Sequence, residues 1–451
     1  MPPNVVLIVS DNQSPWTLGC YGNQDIRTPN ADKLAREGAL FENACCVNPV
    51  CSPNRATLLT GLVPSQHGVH NWLGTETPDA QVGPHAYCTI EEFPTLPELL
   101  AKVGYDCGMT GKWHLGDSLS PQLGFRYWFA KTKGHTSTFY NDEAIWRGEV
   151  YEEPRYYLDA ITDHATNFIR EPREAPFFLY VGFNGPYGLD EDMREGHENE
   201  HTEYYADKEL ECFPREEPHQ WLVENRDCID NETTMRSYAS AVSGVDTRVG
   251  KIMHALAAEG ELENTLLIFT SDHGLCGGHH GMWGMGDHSE PRHMYQETLR
   301  IPLIWHHPEG IDEVRVEEMV ANYDLFPTIA SYLGFPEWTA DRPDLPGRDY
   351  SAAVEGNDLD WKEEIVYHEY EHIRAVQTPH WKLVRRYPDG PDELYDAKAD
   401  QAETINLIDD NKHTQVIDRL AHRLEQFFDE YADPRYDFVN GGTSKAGTLD
   451  T

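Results

Sequence analysis

The sequence predicts an α/β protein with a large, mostly parallel sheet flanked by helices and a small antiparallel sheet near the C-terminus. Two observations carry this prediction. Over roughly the first 330 residues, short continuous apolar runs alternate with amphipathic helical segments, as in parallel strands joined by helices. From about residue 360 the chain changes to short alternating segments followed by a helix. We therefore divide the chain into a main domain over 1–355, a subdomain over 356–432 and a polar tail over 433–451.

The individual elements follow from these patterns. Continuous apolar runs predict strands buried on both faces at residues 5–10, 176–183, 265–271 and 301–305. Helical spacing and cap residues predict helices at residues 30–38, 96–103, 157–169, 238–258 and 415–431. In sheets of this type the functional side chains lie beyond the carboxyl ends of the strands. Asp11, Asn12, Asp272 and His273 stand at such positions.

The composition is strongly acidic, with 77 Asp and Glu against 36 Lys and Arg and a net charge of −41. The acids are dispersed along the chain, which indicates a highly solvated surface and adaptation to high salt, as in halophilic acidic proteomes. This charge argues against nucleic acid or an anionic membrane as a partner. An anionic substrate would need local cations to hold it.

Cysteine spacing and the N-terminus bear on the compartment. Nine cysteines without regular spacing imply no disulfide framework. The apolar run at residues 5–9 is too short for a signal peptide and lacks a basic region before it. No stretch is long enough to span a bilayer. We expect a cytoplasmic protein.

The most informative motif runs from Cys51 to Gly61. Pro53 is compatible with the first turn of a helix, and Gly61 with the position after its end. Cys51 would then lie at a helix N-terminus, where the helix dipole and free N–H groups favour an anion. The alternative is that Cys51 is a small buried apolar residue, as most free cysteines are.

At Cys51-Ser52-Pro53-Asn54-Arg55 the chain resembles the sulfatase family, with Asn54 where sulfatases usually carry Ser or Ala. The resemblance extends from Val5 to about Tyr431. It implies an alkaline-phosphatase-like fold and conversion of Cys51 to formylglycine by a formylglycine-generating enzyme. The hydrated aldehyde would be the nucleophile, and Arg55 would orient it.

The resemblance also implies a divalent metal bound by Asp11, Asn12, Cys51, Asp272 and His273. Carboxylates suit Ca²⁺ or Mg²⁺, whereas His273 favours Mn²⁺ or another transition ion; we expect Ca²⁺. Taken alone, an Asp-Asn pair at a strand end indicates a turn. Asn12 departs from the usual Asp, which removes one negative charge from the metal site.

The segment Gly111-Lys112-Trp113-His114-Leu115-Gly116 matches the family without change. The resemblance assigns Lys112 to the ester oxygens and His114 to the hydrated aldehyde, from which it would take a proton. The alternatives are a solvated surface lysine and a hydrogen-bonded core histidine.

Two family positions are filled differently. Tyr187 stands where sulfatases carry the His of a Pro-His pair near the leaving oxygen, and we include it among the catalytic candidates. Met285 stands where a Trp-Gly-Lys-Gly pattern supplies a second sulfate-binding Lys. Candidate replacements for that cation are His279, His280 and His288, of which we select His288. One anion is absent at Asn12 and one cation at Met285. We therefore expect a pocket that keeps roughly the family's net charge but has that charge redistributed toward the metal.

The acidic stretch at residues 187–232 is either a lid that shapes a substrate pocket or a solvated insertion. The motifs together predict a formylglycine-dependent sulfatase acting on a small-molecule or saccharide sulfate ester. One alternative is a phosphonate monoester or phosphodiester hydrolase on the same scaffold. A more distant one is a non-catalytic ligand-binding homologue.

Overall fold

A computed structural model describes residues 2–74, 82 and 85–446. Its centre is a mixed, mostly parallel ten-stranded sheet. The strands up to β8 are β1 Asn4–Asp11, β2 Ala39–Cys45, β3 Asp106–Gly111, β4 Tyr127–Lys131, β5 Asp142–Trp146, β6 Glu149–Glu153, β7 Phe177–Pro186 and β8 Thr265–Ser271. A short ribbon of β9 Cys276–Gly277 and β10 Trp283–Gly284 precedes β11 Leu303–His306 and β12 Val314–Ala321. Across the large sheet the strand order is β12-β2-β11-β8-β1-β7-β3-β4-β5-β6.

Helices cover the faces of this sheet. Those of the first half are α1 Pro29–Arg36, α2 Cys51–Thr60, α3 Pro64–His67, α4 Leu96–Lys102, α5 Tyr157–Arg170, α6 Glu191–Glu195 and α7 Thr202–Tyr205. The remainder are α8 Glu232–Ala258, α9 Gln296–Leu299, α10 Leu325–Tyr332, α11 Glu337–Ala340, α12 Ser351–Val354 and α13 Thr414–Tyr431. Several single turns of 3₁₀ helix connect them, among them Gly286–His288.

The central strand β1 is buried along its whole length because it lies between β7 and β8, with which it pairs in parallel. The register places Ser10 opposite Ser271, and Asp11 opposite Pro186. On the other side of β7, Gly111 pairs with Gly182. The carboxyl ends of β1, β3, β7 and β8 therefore meet at one edge, as the alternation of strands and helices predicts.

Helix α2 is buried at every residue. It ends where Gly61 takes a left-handed conformation with φ 72°, which glycine adopts without steric cost. Because both faces of this helix are covered, its sequence has no polar side. It holds the side chain of residue 51 rigidly at its first position.

Two of the predicted elements differ clearly from the structure, one in strand direction and one in length. The run near residue 301 forms β11, but this strand is antiparallel to both of its neighbours, which an apolar run alone does not reveal. Helix α8 begins at Glu232, because the Asn231 side chain accepts hydrogen bonds from the N–H groups of Thr233 and Thr234. Its first turns are more exposed than the rest, so the apolar spacing there is weak.

The C-terminal part contains a four-stranded antiparallel sheet of β13 Val366–Tyr370, β14 Ile373–Gln377, β15 Trp381–Arg386 and β16 Glu393–Asp396. Helix α13 packs on this sheet through Leu420, Leu424, Phe427 and Phe428. Residues 433–446 continue over the main domain, where Arg435 and Lys445 form ion pairs with Glu92. The predicted polar tail extends to residue 451, and residues 447–451 lie outside the described part.

All nine cysteines are unpaired. Within the described residues, none of the helices combines the length and apolar character required to cross a membrane.

Candidate active site

Four buried side chains converge beyond the carboxyl ends of β1 and β8 and the first turn of α2. They are Asp11, Cys51, Asp272 and His273, and their ligand atoms all lie within 4.8 Å of one another. Each is at most 2% exposed. Two carboxylates, an imidazole and a cysteine at this spacing form a donor set that suits a divalent cation.

The hydrogen bonds of His273 fix which ring nitrogen is available. Its Nδ1 lies 2.7 Å from the carbonyl oxygen of Gly274, which only accepts, so Nδ1 carries the proton. The unprotonated Nε2 then points into the cluster, 3.4 Å from Cys51 Sγ. Histidines that bind a metal through one ring nitrogen usually donate a hydrogen bond from the other ring N–H to a carbonyl or carboxylate oxygen.

Buried oxygen atoms that accept no hydrogen bond provide a second test of fit. Among the described residues, the buried Oδ1 atoms of Asp11 and Asn12 accept no hydrogen bond. The Asn12 amide nitrogen donates to the Tyr187 carbonyl at 2.9 Å, which leaves its oxygen as the free end. Burial raises the pKa of Asp11 to about 7, against the lowering effect of Lys112. These residues therefore fit a divalent cation, which would satisfy both oxygens and stabilise the Asp11 carboxylate.

Lys112 and Arg55 supply the buried positive charge. Lys112 Nζ lies 2.7 Å from Asp11 Oδ2, and Arg55 Nη2 lies 2.9 Å from Asp272 Oδ2. Burial acts to raise the pKa of Asp272, but Arg55 outweighs it and holds this pKa below its usual value. Arg55 also donates to the Lys112 carbonyl at 2.9 Å, so the two cations are fixed relative to each other.

His114 is placed to accept a proton. Its Nε2 lies 3.0 Å from the carbonyl oxygen of Leu73 and therefore carries the ring proton. The buried Nδ1 has no partner among the described residues. Burial lowers the pKa of His114 well below its usual value, an effect that Lys112 reinforces. His114 is thus a neutral imidazole with a free lone pair on Nδ1.

A cavity of about 620 Å³ opens onto this cluster. Five of the candidate residues line it, namely Cys51, Lys112, His114, Tyr187 and His288. Arg55, Asp11, Asp272 and His273 lie behind that wall. Burial raises the pKa of the Cys51 thiol well above its usual value, so the unmodified side chain is a neutral thiol and a poor nucleophile.

Tyr187 directly follows β7 and has a left-handed conformation with φ 60°. Its backbone N–H donates a hydrogen bond to the Asp11 carbonyl at 3.1 Å, which places Tyr187 beside the cluster of candidate metal ligands. Its Oη lies 2.8 Å from Nδ1 of His135, a residue of the loop after β4. His135 also lines the cavity, but no motif in the sequence distinguishes it.

The structure separates the three histidines that follow β9. His288 lines the cavity and its Nδ1 lies 3.1 Å from Asp287 Oδ1. His280 instead pairs with Glu297 at 2.8 Å and stacks on Tyr295, away from the cavity. His279 packs against Trp16. Only His288 of these three belongs to the cavity wall, where Met285 also lies.

The acidic stretch at residues 187–232 contributes to the cavity wall beyond Tyr187, through Leu189, Arg194, Val223, Glu224 and Asn225. Arg292, in the segment between β10 and α9, also lines the cavity. Sequence reasoning did not single out Arg194, Glu224 or Arg292, because each is one of many charged residues in a charged chain.

Comparisons with known proteins agree with this geometry. The family model Sulfatase matches residues 3–335, and the model N-sulphoglucosamine sulphohydrolase, C-terminal matches residues 281–430. An N-acetylglucosamine-6-O-sulfatase of Bacteroides thetaiotaomicron is 27% identical, over 96% of this chain and 87% of that protein. The N-acetylgalactosamine-6-sulfatase of Rattus norvegicus is 31% identical, over 74% of this chain and 62% of that protein.

A solved structure in complex with its substrate D-glucosamine-2-N,6-O-disulfate superposes with a TM-score of 0.73 at 24% identity, covering 96% of this chain and 98% of that chain. This likeness supports the fold. Because the family model spans most of the main domain and the curated relatives named above are sulfatases, the chain belongs to the sulfatase family and is a sulfuric ester hydrolase.

Proposed function

We propose that this sulfatase removes sulfate from a sulfated saccharide, with Cys51 converted to formylglycine as the nucleophile. The observation that carries the proposal is the position of Cys51, which belongs to the buried metal-binding cluster and also lines the cavity. A nucleophile at this junction meets an ester that enters from the cavity. The conversion requires a formylglycine-generating enzyme as a partner, and formylglycine would supply an oxygen nucleophile in place of the thiol.

Asp11, Asn12, Asp272 and His273 would hold the metal, with residue 51 as a further ligand. A divalent cation there would draw charge from the ester oxygens. We propose Ca²⁺, because three of the four protein side chains offer oxygen donors and the site is closed on its inner side by buried residues.

The remaining residues have separate tasks. Lys112 would bind the ester oxygens, since its ammonium group is buried at the cavity wall beside Asp11. Arg55 lies one helical turn after residue 51 and would orient its side chain. The free Nδ1 of His114 would take the proton released when the sulfate leaves residue 51. His288 would supply the second cation for the ester in place of the family's lysine.

Tyr187 would protonate the leaving oxygen. When the ester S–O bond breaks, its electron pair stays on the sugar oxygen, which needs a proton. If His135 Nδ1–H donates to Tyr187 Oη, the phenolic proton is free to point into the cavity. The nearby Lys112 ammonium, 5.6 Å from the ring centre, would stabilise the tyrosinate that remains.

The saccharide substrate class is supported by the relatives, which are named for 6-sulfates of N-acetylated amino sugars. The cavity offers planar polar side chains for sugar hydroxyl groups and the indole of Trp72 for an apolar ring face. A volume of about 620 Å³ is usual for a small-molecule site.

The test has two parts. Mass spectrometry of the tryptic peptide covering residues 37–55, from protein made in its native host, should find Cys51 as an aldehyde. Cys51→Ala should then abolish hydrolysis of 4-nitrophenyl sulfate, whereas Cys88→Ala, at another buried cysteine, should not. An unmodified Cys51 in active enzyme, or faster hydrolysis of an aryl phosphonate than of the aryl sulfate, would contradict the proposal.

A further inference from the structure

The permanent cations in the described wall of the active-site cavity are Lys112, Arg194 and Arg292. Each forms an ion pair with a carboxylate of the chain itself. Lys112 pairs with Asp11 at 2.7 Å, as described above. Arg194 and Arg292 belong to the same wall but not to the cluster of Asp11, Cys51, Asp272 and His273.

Arg292 is paired from the C-terminal subdomain. Its Nη1 lies 2.6 Å from Oε2 of Glu371, which is 8% exposed, and 3.2 Å from the Tyr370 hydroxyl. The other carboxylate oxygen of Glu371 accepts a hydrogen bond from the Asn71 amide at 2.7 Å. Glu371 is thus held from two sides, and the charge of Arg292 is neutralised inside the protein.

Arg194 is paired within the acidic stretch. Its Nε lies 3.2 Å from Asp227 Oδ2, and its Nη1 donates to the Leu189 carbonyl at 3.2 Å. A further hydrogen bond joins it to the Asn225 side chain. This guanidinium group has three acceptors of the chain around it before any substrate arrives.

Acidic residues line the same wall. Glu224, Asp287 and Glu290 all face the cavity. Asp287 and Glu224 lie 3.1 Å and 3.8 Å from the ring nitrogens of His288, so the imidazole shares its charge with two acids. The carboxylates around the described part of the cavity are those that line the wall and those that pair with Lys112, Arg194 and Arg292. Together they outnumber the permanent cations.

We propose that the cavity selects saccharides whose only anionic group is the sulfate ester to be cleaved, and that it rejects sugars with a second sulfate or a carboxylate. This inference rests on the proposed function, because it assumes that a sugar ring occupies the cavity. A second anion would meet guanidinium groups that already pair with carboxylates and an acidic wall, in a chain of net charge −41. The neutralised arginines retain N–H groups that suit sugar hydroxyls.

The test compares sugars that differ by one sulfate. Two matched pairs are N-acetylglucosamine 6-sulfate with its 3,6-disulfate, and N-acetylgalactosamine 4-sulfate with its 4,6-disulfate. Calorimetry with calcium-loaded protein that retains unconverted Cys51 measures binding without turnover. In at least one pair, the monosulfate should bind about tenfold tighter than the disulfate at 0.05 M NaCl. This ratio of affinities should fall toward about threefold at 0.5 M NaCl, because salt screens the repulsion.

Two variants link the selectivity to the named residues. Glu371→Gln keeps an acceptor for Asn71 but frees the charge of Arg292, and Glu290→Gln removes an acid from the wall. Each should improve binding of the disulfate about threefold or more, whereas Glu149→Gln, at an exposed residue on β6, should leave the ratio unchanged. If Glu371→Gln does not fold, Glu290→Gln still decides.

Equal or tighter binding of the disulfate in both pairs would overturn the inference, as would the absence of binding by all four sugars. The proposed function is measured separately, through conversion of Cys51 and hydrolysis of the aryl sulfate. An active enzyme that prefers disulfates contradicts only the charge selectivity. Selective binding by an inactive protein contradicts only the proposed function.

Discussion

His273 Nε2 lies 3.4 Å from Sγ of Cys51, although the two residues are 222 positions apart in the chain. The contact joins the end of β8 to the first turn of α2. Because Nδ1 of the same ring is occupied by the Gly274 carbonyl, Nε2 has its lone pair directed at the side chain that the family converts to formylglycine. The proposed nucleophile and the proposed metal site are therefore in direct contact, so a change at either one should alter turnover.

The first prediction concerns the support of His114. A Cβ added at Gly134 would lie 2.0 Å from Cγ and Cδ2 of the His114 ring, so Gly134→Ala must displace the imidazole. A displacement of about 1 Å in a catalytic group lowers kcat by about 10²-fold. We expect this loss in aryl sulfate hydrolysis, with the adjacent exposed Lys133→Ala as the control that retains activity. Unchanged kcat in Gly134→Ala would show that the His114 ring position is not critical.

The sequence predicts the elements that carry a local signal. Continuous apolar runs predict the buried strands β1, β7 and β8, and resemblance to the sulfatase family identifies the motifs at Cys51 and Lys112. His135, Arg194 and Arg292 carry no such signal, because their role depends on three loops meeting at one cavity. The sequence offers three histidines for the missing cation, and only the fold shows that His288 lines the cavity whereas His280 pairs with Glu297 and stacks on Tyr295.

The second prediction is a loss of substrate affinity at alkaline pH. Burial acts to lower the pKa of His288, but Asp287 outweighs it, so this pKa is raised above its usual value. The imidazolium charge is present below that pKa and is lost as the pH rises through it. KM for the sulfate ester should therefore increase toward alkaline pH. Met285→Lys, which places a permanent cation in the same wall, should flatten the KM profile; an unaltered profile would contradict the role of His288.

The third prediction concerns the charge of the metal site. Asn12→Asp restores the carboxylate that the family usually carries and should tighten Ca²⁺ binding by about tenfold, since carboxylates are the stronger ligands. The gain is reduced by loss of the hydrogen bond from the Asn12 amide to the Tyr187 carbonyl. Calorimetric titration with Ca²⁺ measures the change, with Asn12→Ala as the control that should bind more weakly. Equal or weaker binding by Asn12→Asp would show that the site does not use this oxygen.

The fourth prediction concerns the junction between the two sheets. Lys382 on β15 is fully buried, and its Nζ lies 2.8 Å from Oε1 of Glu403. The same ammonium donates to the Met294 carbonyl, while Glu403 accepts from the N–H of Gln296 at 2.9 Å. This pair therefore anchors the small sheet to the segment that continues from the cavity wall at Arg292.

Removing one member of a buried ion pair leaves the other charge without a partner, which costs about 3–5 kcal/mol. Lys382→Met should lower the free energy of unfolding, measured in urea, by that amount. The double variant Lys382→Met with Glu403→Gln removes both charges and should recover at least half of the loss, because a neutral amide still accepts from Gln296. Since the anchor also positions Arg292, the single variant should raise KM for a saccharide sulfate more than KM for 4-nitrophenyl sulfate, which has no sugar hydroxyl groups for Arg292 to bind. Equal changes in the two KM values would mean that the anchor stabilises the fold without shaping the cavity.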